Sequence, residues 1–128
     1  MKHPVILNSC LDALQWIRDN CQEKISSHAD TDCLYIAGDS AGGNLTATTV
    51  FESLKTGKHS DAIKGQIIIY GCLADYETRL NSASGKTYRD YGYIINQHVI
   101  DYCMISYFGA EAYYSKQAEH VNDLRINP

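Results

Sequence analysis

Two short apolar runs with a helical repeat between them constrain the fold of this 128-residue chain more than any other feature. The first, CLYIA at residues 33–37, is stopped by Gly38; the second, QIIIY at residues 66–70, is bounded by Gly65 and Gly71. Unbroken apolar runs of this length suit strands covered on both faces, as in a parallel sheet. Between them the period changes. Ala47, Val50, Phe51 and Leu54 mark one face of a helix that starts at Ala41, and Gly57, with Lys55 and Lys58 nearby, marks its end. Residues 33–70 therefore read as a βαβ unit with parallel strands and a right-handed crossover.

The flanks add helices. Leu7, Cys10, Leu11, Leu14, Ile17 (or Arg18) and Cys21 recur at three- and four-residue steps, which predicts a helix from just after Pro4 to about Lys24. Residues 26–32 are polar and read as a loop. Beyond Gly71 the chain is polar and rich in tyrosine, and reads as loop and irregular structure until about Asn96. There Ile100, Cys103, Met104 and Tyr107 give another helical stripe, with Asn96 as N-cap and Gly109 as stop. Residues 113–128 show only weak periodicity. The expected fold class is α/β, one partial domain over residues 1–128. Residues 1–71 form its core (helix, strand, turn, helix, strand), and 72–128 a tyrosine-rich loop and helix segment.

Composition excludes several partners. The formal charge is −4 and the 11 Lys and Arg residues form no cluster, so nucleic acid is not an expected partner. No apolar run approaches the roughly 20 residues of a membrane span. Asn8, Ser9 and Asp12 interrupt the N-terminus, which thus lacks the apolar core of a signal peptide. The 5 cysteines form no C-x-x-C pair, which argues against a disulfide framework or a zinc site. They read as small hydrophobes in a reducing cytoplasm. The glycosylation triplet Asn44-Leu45-Thr46 falls inside the expected helix and reads as chance.

Where the first strand hands over to the helix stands Gly38-Asp39-Ser40-Ala41-Gly42, a G-x-S-x-G pattern. A strand-to-helix turn this tight forces its serine into an unfavourable φ/ψ region. It also brings the residues two before and two after into contact, so Gly38 and Gly42 are both expected to need their small size. Ser40 Oγ would project from the carboxyl end of the sheet as a nucleophile. The Ala41 N–H would face a developing oxyanion, with the positive end of the helix beneath it. The alternative is a glycine-rich turn that serves only close strand–helix packing.

The segment "IAGDSAGGNL" resembles the serine motif of the hormone-sensitive lipase family of α/β-hydrolases, which are esterases and lipases. The resemblance is colinear over nearly the whole chain. "CLDALQWI" is similar to the family's helix before that strand, "GQIIIYGCL" to its next strand, and "YRDYGYIINQHVIDYCMISYFG" to the segment after it. Two positions depart from the family pattern: Ser9, where an acidic residue is usual, and Gly71, where proline is common. The resemblance implies a partial α/β-hydrolase fold, a small-molecule ester as substrate, and no metal or organic cofactor.

It also implies partners for Ser40 in the chain order serine, acid, histidine, with a second oxyanion donor from an upstream His-Gly-Gly loop. No His-Gly-Gly occurs here, and "DLRINP" falls before the place where the acid is expected. The chain thus reads as the central piece of a hydrolase, nearly inert alone. Within it, Asp75 follows the second strand, where some α/β-hydrolases carry their acid, but its plainer reading is a solvated loop carboxylate. His98 and His120 lie downstream of it with nothing to place either beside Ser40. His3, His28 and His59 read as surface residues. Tyr88, Tyr91 and Tyr93 either wall a pocket or pack with their hydroxyls in water. A sheet without its neighbours exposes strand edges and apolar faces, so the chain alone is expected either to be marginally stable or to bury those surfaces by self-association. Two other readings stay open: a non-catalytic small-molecule-binding homologue, and another serine hydrolase such as a thioesterase or peptidase.

Overall fold

The structure, a computed structural model, describes residues 3–91 and 93–111. Helix α1 spans Val5–Lys24 and buries Leu7 and Leu14, with Cys10, Leu11, Ile17 and Cys21 half-buried on the same stripe. Strand β1 (Leu34–Asp39) leads through Ser40 into helix α2 (Ala41–Thr56), which ends at Gly57 with φ 74, a left-handed conformation that glycine adopts without penalty. Strand β2 (Ile63–Ile69) pairs with β1 in parallel, from Leu34 opposite Ile63 to Asp39 opposite Ile69. The βαβ unit is as the two apolar runs and the helical repeat between them predict.

Strand β2 begins earlier than residue 66, and Gly65 lies inside it rather than at its edge. Gly65 pairs with Tyr35, and a Cβ at Gly65 would lie 3.1 Å from the Tyr35 ring, so the missing side chain is filled by that ring.

Among the described residues, the strands are covered on one face only. Helix α2 packs on both strands and α1 packs on α2, which covers one side. On the other, Tyr35, Ala37 and Asp39 of β1 alternate outward, and Ile67 and Ile69 of β2 are exposed beside them. An apolar run records a capacity for two-sided burial; the helices of the described residues supply one side.

The stripe expected on α2 also needs correction. Val50 and Phe51 are half-buried and Leu54 is 63% exposed, while Gly43, Asn44, Thr46, Ala47, Thr48, Thr49 and Ser53 are buried. The helix lies so close to the sheet that small side chains fill the seam, and hydrophobic bulk is displaced to its flank.

The segment after Gly71 contains two short helices where loop is expected: α3 (Tyr76–Asn81) and α4 (Ala83–Tyr88). Asp75 caps the first by accepting from the Thr78 N–H at 3.0 Å, and Ser82 caps the second by accepting from the Gly85 N–H at 2.9 Å. Each is too short to show a period, so only its cap residue marks it. Helix α5 (Gln97–Phe108) starts at Asn96, whose side chain accepts from the Val99 N–H, and stops at Gly109, φ 93. Ile100, Met104 and Tyr107 are half-buried as expected, but Cys103 is exposed. Among the described residues no helix is long and apolar enough to cross a membrane. The weakly periodic residues 113–128, with His120, lie outside the described residues.

Candidate active site

Ser40 has φ 52 and ψ −118, a conformation that costs a non-glycine residue about 1–3 kcal/mol. Backbone bonds on both sides hold it there. The Ser40 N–H donates to the Ile69 carbonyl at 2.9 Å, and the Ser40 carbonyl accepts from the Asn44 N–H at 3.2 Å, inside the first turn of α2. Although Ser40 occupies the N-cap position, its hydroxyl makes no capping hydrogen bond, and the residue is exposed. A serine at a helix start ordinarily spends its hydroxyl on the N2 or N3 amide. Ala41, also exposed, is the first residue of α2 and carries one of the amides that a helix cannot bond internally.

The steric reason for one of the flanking glycines is direct. A Cβ on Gly38 would collide with the carbonyl of Gly42 and lie 2.8 Å from Thr46 Oγ1. The requirement is not mutual, contrary to expectation. A Cβ on Gly42 would meet nothing nearer than Asp39 Oδ1 at 3.9 Å, because it is the backbone of Gly42 that Gly38 touches.

A second close approach lies one residue on. A Cβ on Gly43 would lie 2.8 Å from Gly71 Cα, and one on Gly71 would lie 3.1 Å from the Gly43 carbonyl carbon and 2.8 Å from Ile68 Cγ2. Helix α2 thus starts in contact with the chain leaving β2. The buried Asn44 side chain locks that contact by donating from Nδ2 to the Cys72 carbonyl at 2.8 Å. Gly43, Asn44 and Tyr70 escape sequence reasoning; the second glycine of the A-G-G-N run is the one signal that could have drawn attention to the first two.

Tyr70 follows β2 directly and is itself at φ 41. Its hydroxyl donates to Asp39 Oδ2 at 3.2 Å. That hydrogen bond, the carboxylate's charge and some desolvation push the phenol above its ordinary pKa.

Asp75 is engaged as the α3 cap, its carboxylate accepting from both the hydroxyl and the backbone N–H of Thr78, which hold its pKa below the usual range. His98 is exposed in the first turn of α5. His59 lies between α2 and β2, at the end of the sheet opposite Ser40. It is buried rather than at the surface, at φ 60, its carbonyl accepting from the Ala62 and Ile63 N–H groups. His28 lies in the loop before β1. His3 is half-buried, its ring 5.9 Å from Tyr107 and 5.6 Å from Phe108. Tyr88, Tyr91 and Tyr93 form an exposed ring cluster with centroids 5.9 to 6.4 Å apart. Among the described residues no group of three His, Cys, Asp or Glu side chains could hold a metal ion.

A parallel βαβ unit whose strand-to-helix turn presents an exposed, strained serine has the architecture of an α/β-hydrolase. Residues 1–127 match the family described as alpha/beta hydrolase fold, and the chain belongs to that family, as its resemblance to the hormone-sensitive lipase and carboxylesterase type predicts. It is 31% identical over 103 residues to catharanthine synthase of Catharanthus roseus, covering 70% of this chain and 30% of that protein. It is 35% identical over 71 residues to probable carboxylesterase 3 of Arabidopsis thaliana, covering 54% of this chain and 22% of that one. Its fold matches a fungal esterase from Rhizomucor miehei with a TM-score of 0.73 at 26% identity, over 100% of this chain and 35% of that one. The chain thus spans 30% or less of the length of these two sequence relatives.

Proposed function

We propose that this chain is the nucleophile-bearing segment of a serine hydrolase acting on carboxylic esters. The observation that carries the reading is the state of Ser40: strained, exposed, and with its hydroxyl unspent on the helix it caps. Ser40 Oγ attacks the ester carbonyl while a histidine base takes its proton. The Ala41 N–H, with a second donor, stabilises the tetrahedral oxyanion; alcohol leaves, and water hydrolyses the acyl-enzyme. None of this requires a cofactor. Loss of one triad member costs some four to six orders of magnitude in rate, so these 128 residues alone are nearly inert. Asp75, already committed to Thr78, is not assigned as the acid. All 5 cysteines are free thiols, which supports a reducing, cytoplasmic setting.

A second reading has one observation in its favour. A relative here is named a synthase rather than a hydrolase, which keeps open a member of the fold that holds a small molecule without hydrolysing it. Hydrolysis of p-nitrophenyl esters, by the chain expressed with the coding sequence that flanks it, separates the two. Turnover abolished by Ser40→Ala supports the esterase reading. Turnover that survives Ser40→Ala, or binding of an ester without any turnover, overturns it.

A further inference from the structure

Two non-glycine residues with positive φ, Ser40 and Tyr70, stand at the ends of adjacent strands, and one hydrogen bond separates them. The Ser40 N–H donates to the carbonyl of Ile69, the residue before Tyr70. The Tyr70 hydroxyl donates to Asp39, the residue before Ser40. The four residues therefore close a ring: Asp39 to Ser40 along the chain, Ser40 to Ile69 by the amide bond, Ile69 to Tyr70 along the chain, and Tyr70 back to Asp39 by the phenol. The amide of Ser40 is inside it.

Burial does not hold Tyr70 in this conformation, since the residue is 75% exposed. A strained backbone at an exposed aromatic needs another cause, and an observed outlier of this kind points toward function. Gly71, the next residue, could take a left-handed turn at no steric penalty, yet Tyr70 takes it. The close approach of Gly71 to Gly43 fixes where the chain must go after β2, so the turn falls one residue earlier and swings the phenol over the end of β1.

We propose that Tyr70 is a positioning residue for Ser40. Its hydroxyl, by holding the Asp39 carboxylate, fixes the end of β1 against the end of β2 and so keeps the turn that carries Ser40 in its strained form. Its bearing on ester hydrolysis rests on the reading of Ser40 as nucleophile; the positioning itself does not. At 3.2 Å the bond is long for a hydroxyl donor, so its effect is local and modest.

The test is amide hydrogen exchange at Ser40 in the full 128-residue chain, followed by NMR. Tyr70→Phe should speed exchange at Ser40 by about fivefold, the effect of losing one modest hydrogen bond, and leave buried α2 amides such as that of Ala47 unchanged. Asp39→Asn keeps a side-chain oxygen as acceptor and should behave like the parent. Asp39→Ala should match Tyr70→Phe, and the double variant should add nothing. Ser40 exchange unaltered by Tyr70→Phe, or the same acceleration persisting in the Asp39→Ala background, overturns the proposal. Labelling of the longer polypeptide that carries this chain with a serine-directed phosphonate is scored separately. An adduct away from Ser40 sinks the nucleophile reading and leaves the exchange result to stand or fall alone.

Discussion

Gly38 and Gly42 meet across the turn that carries Ser40, and the contact is one-sided: the absent Cβ of Gly38 is replaced by the backbone carbonyl of Gly42. The G-x-S-x-G pattern looks symmetrical in sequence, but only its first glycine is sterically required.

Gly38→Ala should therefore destabilise the chain by at least about 1–3 kcal/mol, since the clash is with backbone that cannot rotate away. Gly42→Ala should be neutral or stabilising by up to about 1 kcal/mol, because alanine is the better helix former and the site is open. Urea unfolding of the two variants checks the contrast. Equal losses from both would contradict the geometry.

The junction between α2 and the exit from β2 should respond in the same way. Gly71→Ala forces a Cβ against Ile68 and Gly43, and Asn44→Ala leaves the Cys72 carbonyl without the amide that now bonds it, a loss of about 1–3 kcal/mol. Asn44→Asp should be worse than Asn44→Ala, because it sets a carboxylate against a carbonyl oxygen. Thermal melts of the three variants rank these effects.

Two groups make stability depend on pH in opposite directions. Asp75 has a pKa lowered in the folded chain, first by the Thr78 hydroxyl and then by the Thr78 amide. Its contribution is fully present above the unfolded carboxylate value and is lost as pH falls through the lower folded value. Tyr70 has a raised pKa, so its contribution is present below the ordinary phenol value near 10 and is lost as pH rises through the folded one. Carboxyl-carbon NMR should find Asp75 titrating below an unperturbed aspartate. Asp75→Asn should flatten the acid limb of the stability curve, and Tyr70→Phe the alkaline limb.

The outward face of the sheet, with Tyr35, Ile67 and Ile69, predicts concentration-dependent self-association. Sedimentation velocity should show association that weakens in the double variant Tyr35→Glu, Ile67→Glu. A monomer at every concentration would mean that this face is tolerated in water.

The βαβ core was legible because an unbroken apolar run stops at Gly38 and a helical period begins just after it, and each has a physical cause that survives in sequence. The caps at Asn96 and Gly109 were legible for the same reason: one residue type satisfies one orphaned backbone group. Coverage of the strands was not, since an apolar residue such as Ile67 records what a strand can bury and says nothing of what lies on it. Helices α3 and α4 escaped because six residues make too few turns for a stripe. Leu54 misled, since the seam of α2 is filled by Thr48, Thr49 and Ser53, and close packing overrode hydrophobic bulk. The Gly43–Gly71 approach and the Tyr70–Asp39 bond join residues about thirty apart, which no local pattern can express.

The central claim is that Ser40 is the reacting group, and a fluorophosphonate probe reads it most directly. The chain, with and without its flanking coding sequence, would be treated with the probe and the adduct located by peptide mass spectrometry. Rapid modification confined to Ser40 is expected in the longer polypeptide, and labelling about four orders of magnitude slower in the 128 residues alone. Modification of any other serine, or a longer polypeptide that leaves Ser40 untouched, would contradict it.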